Sequence, residues 1–167
     1  MRYFPAALAL SLLVGVSGSV GFGATPDPSP RAAQLIADGD RALKAGSGEE
    51  AAYAYEAAMA VDPGYTPILI RLAEAARASG LHGKAIHYYR EALKRNPTDL
   101  AALAGEGEAM IEKGAVEKAR RNLAKLESLC GTSCSETRTL AATIDRGPKA
   151  PVLTAEAVTP DVSVTQN

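Results

Sequence analysis

A spacing of 34 residues runs through the middle of this chain, from Ala32 to Ser133, and it limits the fold more than any other feature. Three consecutive segments, 32–65, 66–99 and 100–133, carry it without an insertion. The central one, Thr66 to Asp99, reads as two short amphipathic helices joined by a turn at Ala78-Ser79-Gly80-Leu81. A fixed period of this length marks a solenoid, in which each helical hairpin buries its apolar face against its neighbours.

The aligned columns each have a physical reason. Gly39, Ala73 and Gly107 fall where the two helices of a hairpin approach closely and only a small side chain fits. Gly46, Gly80 and Gly114 end each first helix, where a left-handed cap suits glycine. Ala51, Ala85 and Ala119 open the buried face of each second helix. Tyr55, Tyr89 and Leu123 fill the space between repeats, and Ala58, Ala92 and Leu126 continue the stripe three residues on. Pro63 and Pro97 close the first two repeats, because proline cannot continue a helix; Gly131 stands there in the third.

These columns resemble the tetratricopeptide-repeat (TPR) family over Ala32–Ser133. Two columns depart from it: Leu35, Leu69 and Leu103, and then Ala42, Ala76 and Met110, stand where many TPRs carry aromatics. The resemblance implies an all-α, right-handed TPR solenoid of three helical hairpins. A C-terminal capping helix over 134–146 gives the last hairpin a cover with one polar side.

The rest of the chain frames a domain spanning 31–146. Residues 1–24 have a basic start, an apolar run from Phe4 to Val16 and a zone of small residues, the layout of a cleaved secretory signal. The run is short and glycine-rich against the ~20 apolar residues of a span, so no stable membrane span is expected after cleavage. An uncleaved leader tethering the chain, or full secretion, is the alternative to a periplasmic protein. Residues 25–30 form a proline-rich spacer. Ser29-Pro30 reads as an N-cap and first turn, Thr66-Pro67 as the same device, and Thr98-Asp99 as the third start. Ser133 and Glu136 have capping-box spacing. Residues 147–167, rich in Val, Thr, Pro and Ala, read as a disordered tail.

Charge and chemistry exclude several functions. With 18 basic and 19 acidic residues the chain lacks the excess positive charge of a general nucleic-acid binder. No nucleophile elbow, zinc-protease helix motif or phosphate-binding glycine loop occurs, so an enzyme is not expected. No metal site and no cofactor is expected either. His82 and His87 are five residues apart on one helix, off a common face, and read as partly solvated.

Cys130 and Cys134 are separated by Gly-Thr-Ser, a turn that lets their Cα atoms reach the ~4.4–6.8 Å a disulfide needs. In an oxidising compartment such a pair closes. It would fix the angle between the third repeat and the capping helix. A redox-active pair is the alternative, although no basic side chain flanks either thiol. A two-cysteine junction after the last repeat is similar to that of small exported TPR proteins of alphaproteobacteria.

In the TPR family the first helices line a concave surface. Carried over by column, the resemblance points to Ile36, Asp40 and Lys44, then Ile70, Glu74 and Arg77, then Glu108, Ile111 and Glu112. Asp40, Glu74 and Glu108 form an acidic ladder, which would favour a peptide carrying Lys or Arg together with apolar side chains. The lysines and asparagines with which chaperone-binding TPRs hold a terminal carboxylate are missing, so a heat-shock chaperone tail is not the expected ligand. The sequence thus predicts a non-enzymatic, periplasmic TPR adaptor or scaffold holding a partner protein or peptide. An envelope assembly or secretion system is the narrower setting. The competing readings are a self-assembling structural protein and a thiol–disulfide protein using Cys130 and Cys134.

Overall fold

A computed structural model describes residues 27–148. Over these residues the chain forms seven helices and no strand. The first hairpin is α1 (Pro30–Lys44) and α2 (Gly48–Val61). The second is α3 (Pro67–Ala78) and α4 (His82–Arg95), the third α5 (Leu100–Glu112) and α6 (Val116–Cys130). Helix α7 (Ser135–Arg146) lies against α5 and α6 and covers the end of the array. The expected signal segment 1–24, the first two residues of the spacer and all but the first two residues of the expected tail lie outside the described residues.

The repeat is visible atom by atom at the helix ends. Gly46, Gly80 and Gly114 have φ of 84°, 72° and 81°, a conformation that a side chain disfavours. After each, the chain folds back in a Schellman motif: the N–H groups of Ser47, Leu81 and Ala115 donate to the carbonyls of Ala42, Ala76 and Met110 at 2.9, 2.8 and 2.7 Å. Three equal caps start each second helix at the same angle to its first, which is how a local sequence signal becomes a regular array.

Packing follows the columns, with one difference. Ala51, Ala85 and Ala119 are fully buried, as are Ala58, Ala92 and Leu126, so the helices approach closely through small side chains. Tyr55 is buried over Gly39. Gly107, however, faces the Leu140 side chain of the capping helix, not its own hairpin partner, since a Cβ there would lie 2.6 Å from Leu140 Cδ2. Tyr89 fills the space between repeats as its column implies, reaching forward onto Gly105 of the next hairpin.

Helix starts agree in part with expectation. Ser29 Oγ accepts from the Ala32 N–H, and Asp99 Oδ1 from the Ala102 N–H at 2.9 Å. Thr66 does not cap: its backbone is already helical (φ −54°, ψ −36°), which turns its hydroxyl away from the free N–H groups. The expected capping box is also absent. Cys134 takes the N-cap position and α7 starts at Ser135, one residue later than predicted, with Glu136 accepting from its neighbour Ser135 at 2.7 Å. Cys130 and Cys134 are joined, with Cα atoms 5.9 Å apart, and the Thr137 hydroxyl lies 3.0 Å from Cys134 Sγ.

Candidate binding groove

The backbones of α1 and α3, and of α3 and α5, approach one another, whereas those of α2, α4 and α6 do not. The first helices therefore form the inner, concave side of the array and the second helices its convex side. Among the described residues no helix is long and apolar enough to cross a membrane, and no group of three His, Cys, Asp or Glu side chains could hold a metal ion.

The acidic ladder lies on the concave side, but it is not free. Arg71 on α3 stands 3.5 Å from Asp40 on α1 and 3.6 Å from Glu74 on its own helix. Arg77, further along the same helix, spans the next step. It lies 2.6 Å from Glu108, and its Nη2 and Nε donate to the two oxygens of Glu112 at 2.7 and 3.1 Å. Two arginines thus stitch α1 to α3 and α3 to α5 through the carboxylates expected to meet a ligand. The Tyr55 hydroxyl also donates to Asp40 Oδ1 at 2.7 Å. This pairing removes the basis for a ligand selected by its lysines or arginines.

The electrostatics follow from these contacts. Burial pushes Glu74 above the usual carboxylate range, against the opposing charge of Arg71. Glu112 is also partly buried, yet the hydrogen bonds and charge of Arg77, aided by His82, outweigh burial and hold its carboxyl below the usual range. Burial would lower Arg77, but the bond to Glu112 and the charge of Glu108 raise it well above an ordinary guanidinium. Burial pushes the Tyr89 phenol up to about 12. His82 joins this cluster unexpectedly: its Nδ1 lies 3.0 Å from Glu112 Oε2, without hydrogen-bond geometry.

Of the other predicted groove residues, Ile36 and Ile70 are half-buried and Lys44 is exposed. Ile111 is only 1% exposed, so it supports the floor and does not offer a surface, because Leu140 and Ile144 of α7 pack in the same cluster. A hollow of about 660 Å3 opens where α5 meets α7, lined by Arg77, Glu108, Glu112, Thr139, Thr143 and Pro148. The α7 threonines and Arg71 were not expected there. Asp40 and Arg71 lie three residues short of one repeat apart, and Arg77 and Glu112 one residue beyond it. Opposite charges at near-repeat spacing were the available signal.

A family model described as tetratricopeptide repeat matches residues 76–128. No curated protein sequence matches the chain. Among solved structures, the first TPR of Spaghetti (RPAP3), bound to an HSP90 peptide, superposes with a TM-score of 0.63 at 21% identity, covering 74% of this chain and 97% of that one. The Sgt2 TPR domain from Aspergillus fumigatus gives 0.63 at 23% identity over 80% of this chain and 94% of that one. The Yersinia enterocolitica type III secretion translocator chaperone SycD gives 0.61 at 20% identity over 71% and 89%. At these identities the likeness is one of fold.

Proposed function

We propose that this tetratricopeptide-repeat protein is a non-enzymatic adaptor that holds a segment of a partner protein along the concave side of α1, α3 and α5. The observation that carries this reading is the hollow between α5 and α7, which continues the concave side and is rimmed by the fixed guanidinium of Arg77. Because Arg71 and Arg77 already answer the carboxylates, the ligand is chosen mainly by shape and apolar contact, with Ile36 and Ile70 half-exposed beside it. Solved TPR structures support a peptide or protein ligand, since one with this fold holds an HSP90 peptide and another, PcrH, the chaperone-binding region of PopB. The setting we propose is the periplasm, in an envelope assembly or secretion system; the signal-like residues 1–24 are its support.

Crosslinking in living cells followed by pull-down tests the groove. Thr139→Trp fills the hollow and Lys44→Glu alters the α1 end of the array, both at exposed positions that leave the core intact. A partner recovered with the wild type and lost with the folded double variant supports the adaptor; identical partners from both sink it. Fractionation tests the setting: the protein should be periplasmic and shortened, and deletion of residues 1–24 should retain it in the cytoplasm.

A further inference from the structure

Superposing the repeats brings one exposed stripe of each convex helix into register. On α2 it reads Glu50, Tyr53, Ala57, Val61; on α6, two repeats later, Lys118, Arg121, Lys125, Leu129. Near-neutral overall, the chain is therefore strongly polarised along its convex side. Helix α2 carries Glu49, Glu50 and Glu56 and no base. Helix α6 carries Lys118, Arg120, Arg121 and Lys125 against Glu117 and Glu127. Among the described residues Lys118, Arg121 and Lys125 touch no carboxylate, and Glu49 and Glu50 touch no cation. Three of the four exposed large apolar side chains among the described residues, Tyr53, Val61 and Leu129, stand on the same two stripes.

We propose that α6 of one copy pairs with α2 of a second copy, parallel and in repeat register. In that register Lys118 meets Glu49 and Glu50, and Leu129 meets Val61. Arg121 lies over Tyr53, where a guanidinium gains from the ring's negative face. A hollow of about 440 Å3 beside Tyr53, between α2 and α4 and lined also by Glu49 and by the Glu56–Lys84 pair, leaves one face of the ring open to that guanidinium. Lys84 already stands 3.4 Å from Glu56, which leaves Glu49 and Glu50 as the carboxylates that meet the incoming helix. The two faces differ, making the contact heterologous: repeated, it closes into a ring or extends as a chain. The concave side stays open throughout.

Sedimentation velocity on purified protein tests this. Exposed ion pairs weaken with salt, so wild-type association should fall about ten-fold between ~50 and ~500 mM NaCl. Lys118→Glu/Arg121→Glu and Glu49→Lys/Glu50→Lys, each shown to be folded by circular dichroism, should each be monomeric at low salt. Mixed together they should associate again, because each supplies the sign that the other has lost. A wild type that stays monomeric at low salt, variants that associate as it does, or a mixture that stays monomeric would overturn the pairing. A low-salt monomer that instead binds anionic lipid vesicles through α6 would overturn it in favour of a polyanionic surface.

Discussion

The ring of Tyr89 occupies the place that a side chain on Gly105 would need: a Cβ there would lie 2.3 Å from Cζ and 2.4 Å from the phenol oxygen. Tyr89 belongs to the second hairpin and Gly105 to the third, so this contact sets how closely consecutive hairpins stack. Both residues are buried, which leaves a displaced ring nowhere to go without opening the interface.

Gly105→Ala should therefore lower stability by about 1–3 kcal/mol through overpacking, despite a gain of roughly 1 kcal/mol in helix propensity. Gly83→Ala is the control. A Cβ there meets only Lys113 Nζ at 3.7 Å, an ordinary contact, so that variant should be unchanged or more stable by up to about 1 kcal/mol. Urea denaturation of the pair, giving opposite signs, would establish the stacking role of Tyr89; equal effects would refute it.

Two concave carboxylates should respond to pH in opposite directions. Glu112 titrates below its ordinary 4.5, so its charged form is favoured in the fold. Its contribution is present above the unfolded pKa and is lost as pH falls through the folded one. Glu112→Gln should cost about 1.5–3 kcal/mol at neutral pH, the range for a hydrogen bond to a charged group, and progressively less below pH 4.5. Glu74 titrates above 4.5, so its charge is disfavoured in the fold and acid relieves it. Glu74→Gln should be neutral or slightly stabilising at pH 7. Thermal melts of both variants across pH 3–7 check the two signs together.

Tyr55 and Asp40 show how far sequence reading reached. The Tyr55 column, the small residue under it and the glycine caps were legible because each is set by local geometry that repeats with the chain. That the phenol would donate to Asp40 was not, because the hydroxyl's reach depends on how the ring settles over Gly39. Arg71, and the pairing of Arg77 with Glu108 and Glu112, escaped for a related reason: the partners lie on a neighbouring helix, at an offset fixed only once the hairpins stack. Thr66 and Ser133 carry the right side chains for caps, but the backbone conformation at Thr66 and the one-residue shift to Cys134 decide otherwise. Burial of Ile111 follows from α7, whose docking place the periodic pattern does not contain.

Tyr55→Phe isolates the hydroxyl. Burial, and then its bond to Asp40, push the Tyr55 phenol well above the ordinary tyrosine range, so it stays a donor at every pH the fold survives. Removing it leaves the ring packed on Gly39 and should cost about 0.5–1.5 kcal/mol, the net worth of one hydrogen bond. Asp40 keeps Arg71 at 3.5 Å, so the loss should stay within that range in chemical denaturation. A larger loss would mean that the hydroxyl also orders Arg71.

The capping helix is held in two independent ways, and their separate removal should differ in size. The Cys130–Cys134 bond closes a very short loop, for which the chain-entropy account gives only about 2 kcal/mol. Leu140, fully buried over Gly107, contributes through packing, and its loss to alanine should cost about 2–5 kcal/mol. Cys130→Ser/Cys134→Ser should therefore unfold at lower denaturant yet keep native helix content, whereas Leu140→Ala should be the more damaging. Helix α7 covers Leu103 and Leu126, so its detachment uncovers apolar surface, and dye binding should rise in Leu140→Ala before the rest of the array melts. Should the serine variant prove the weaker of the two, the bond would be the principal restraint on α7, and packing against Gly107 the minor one.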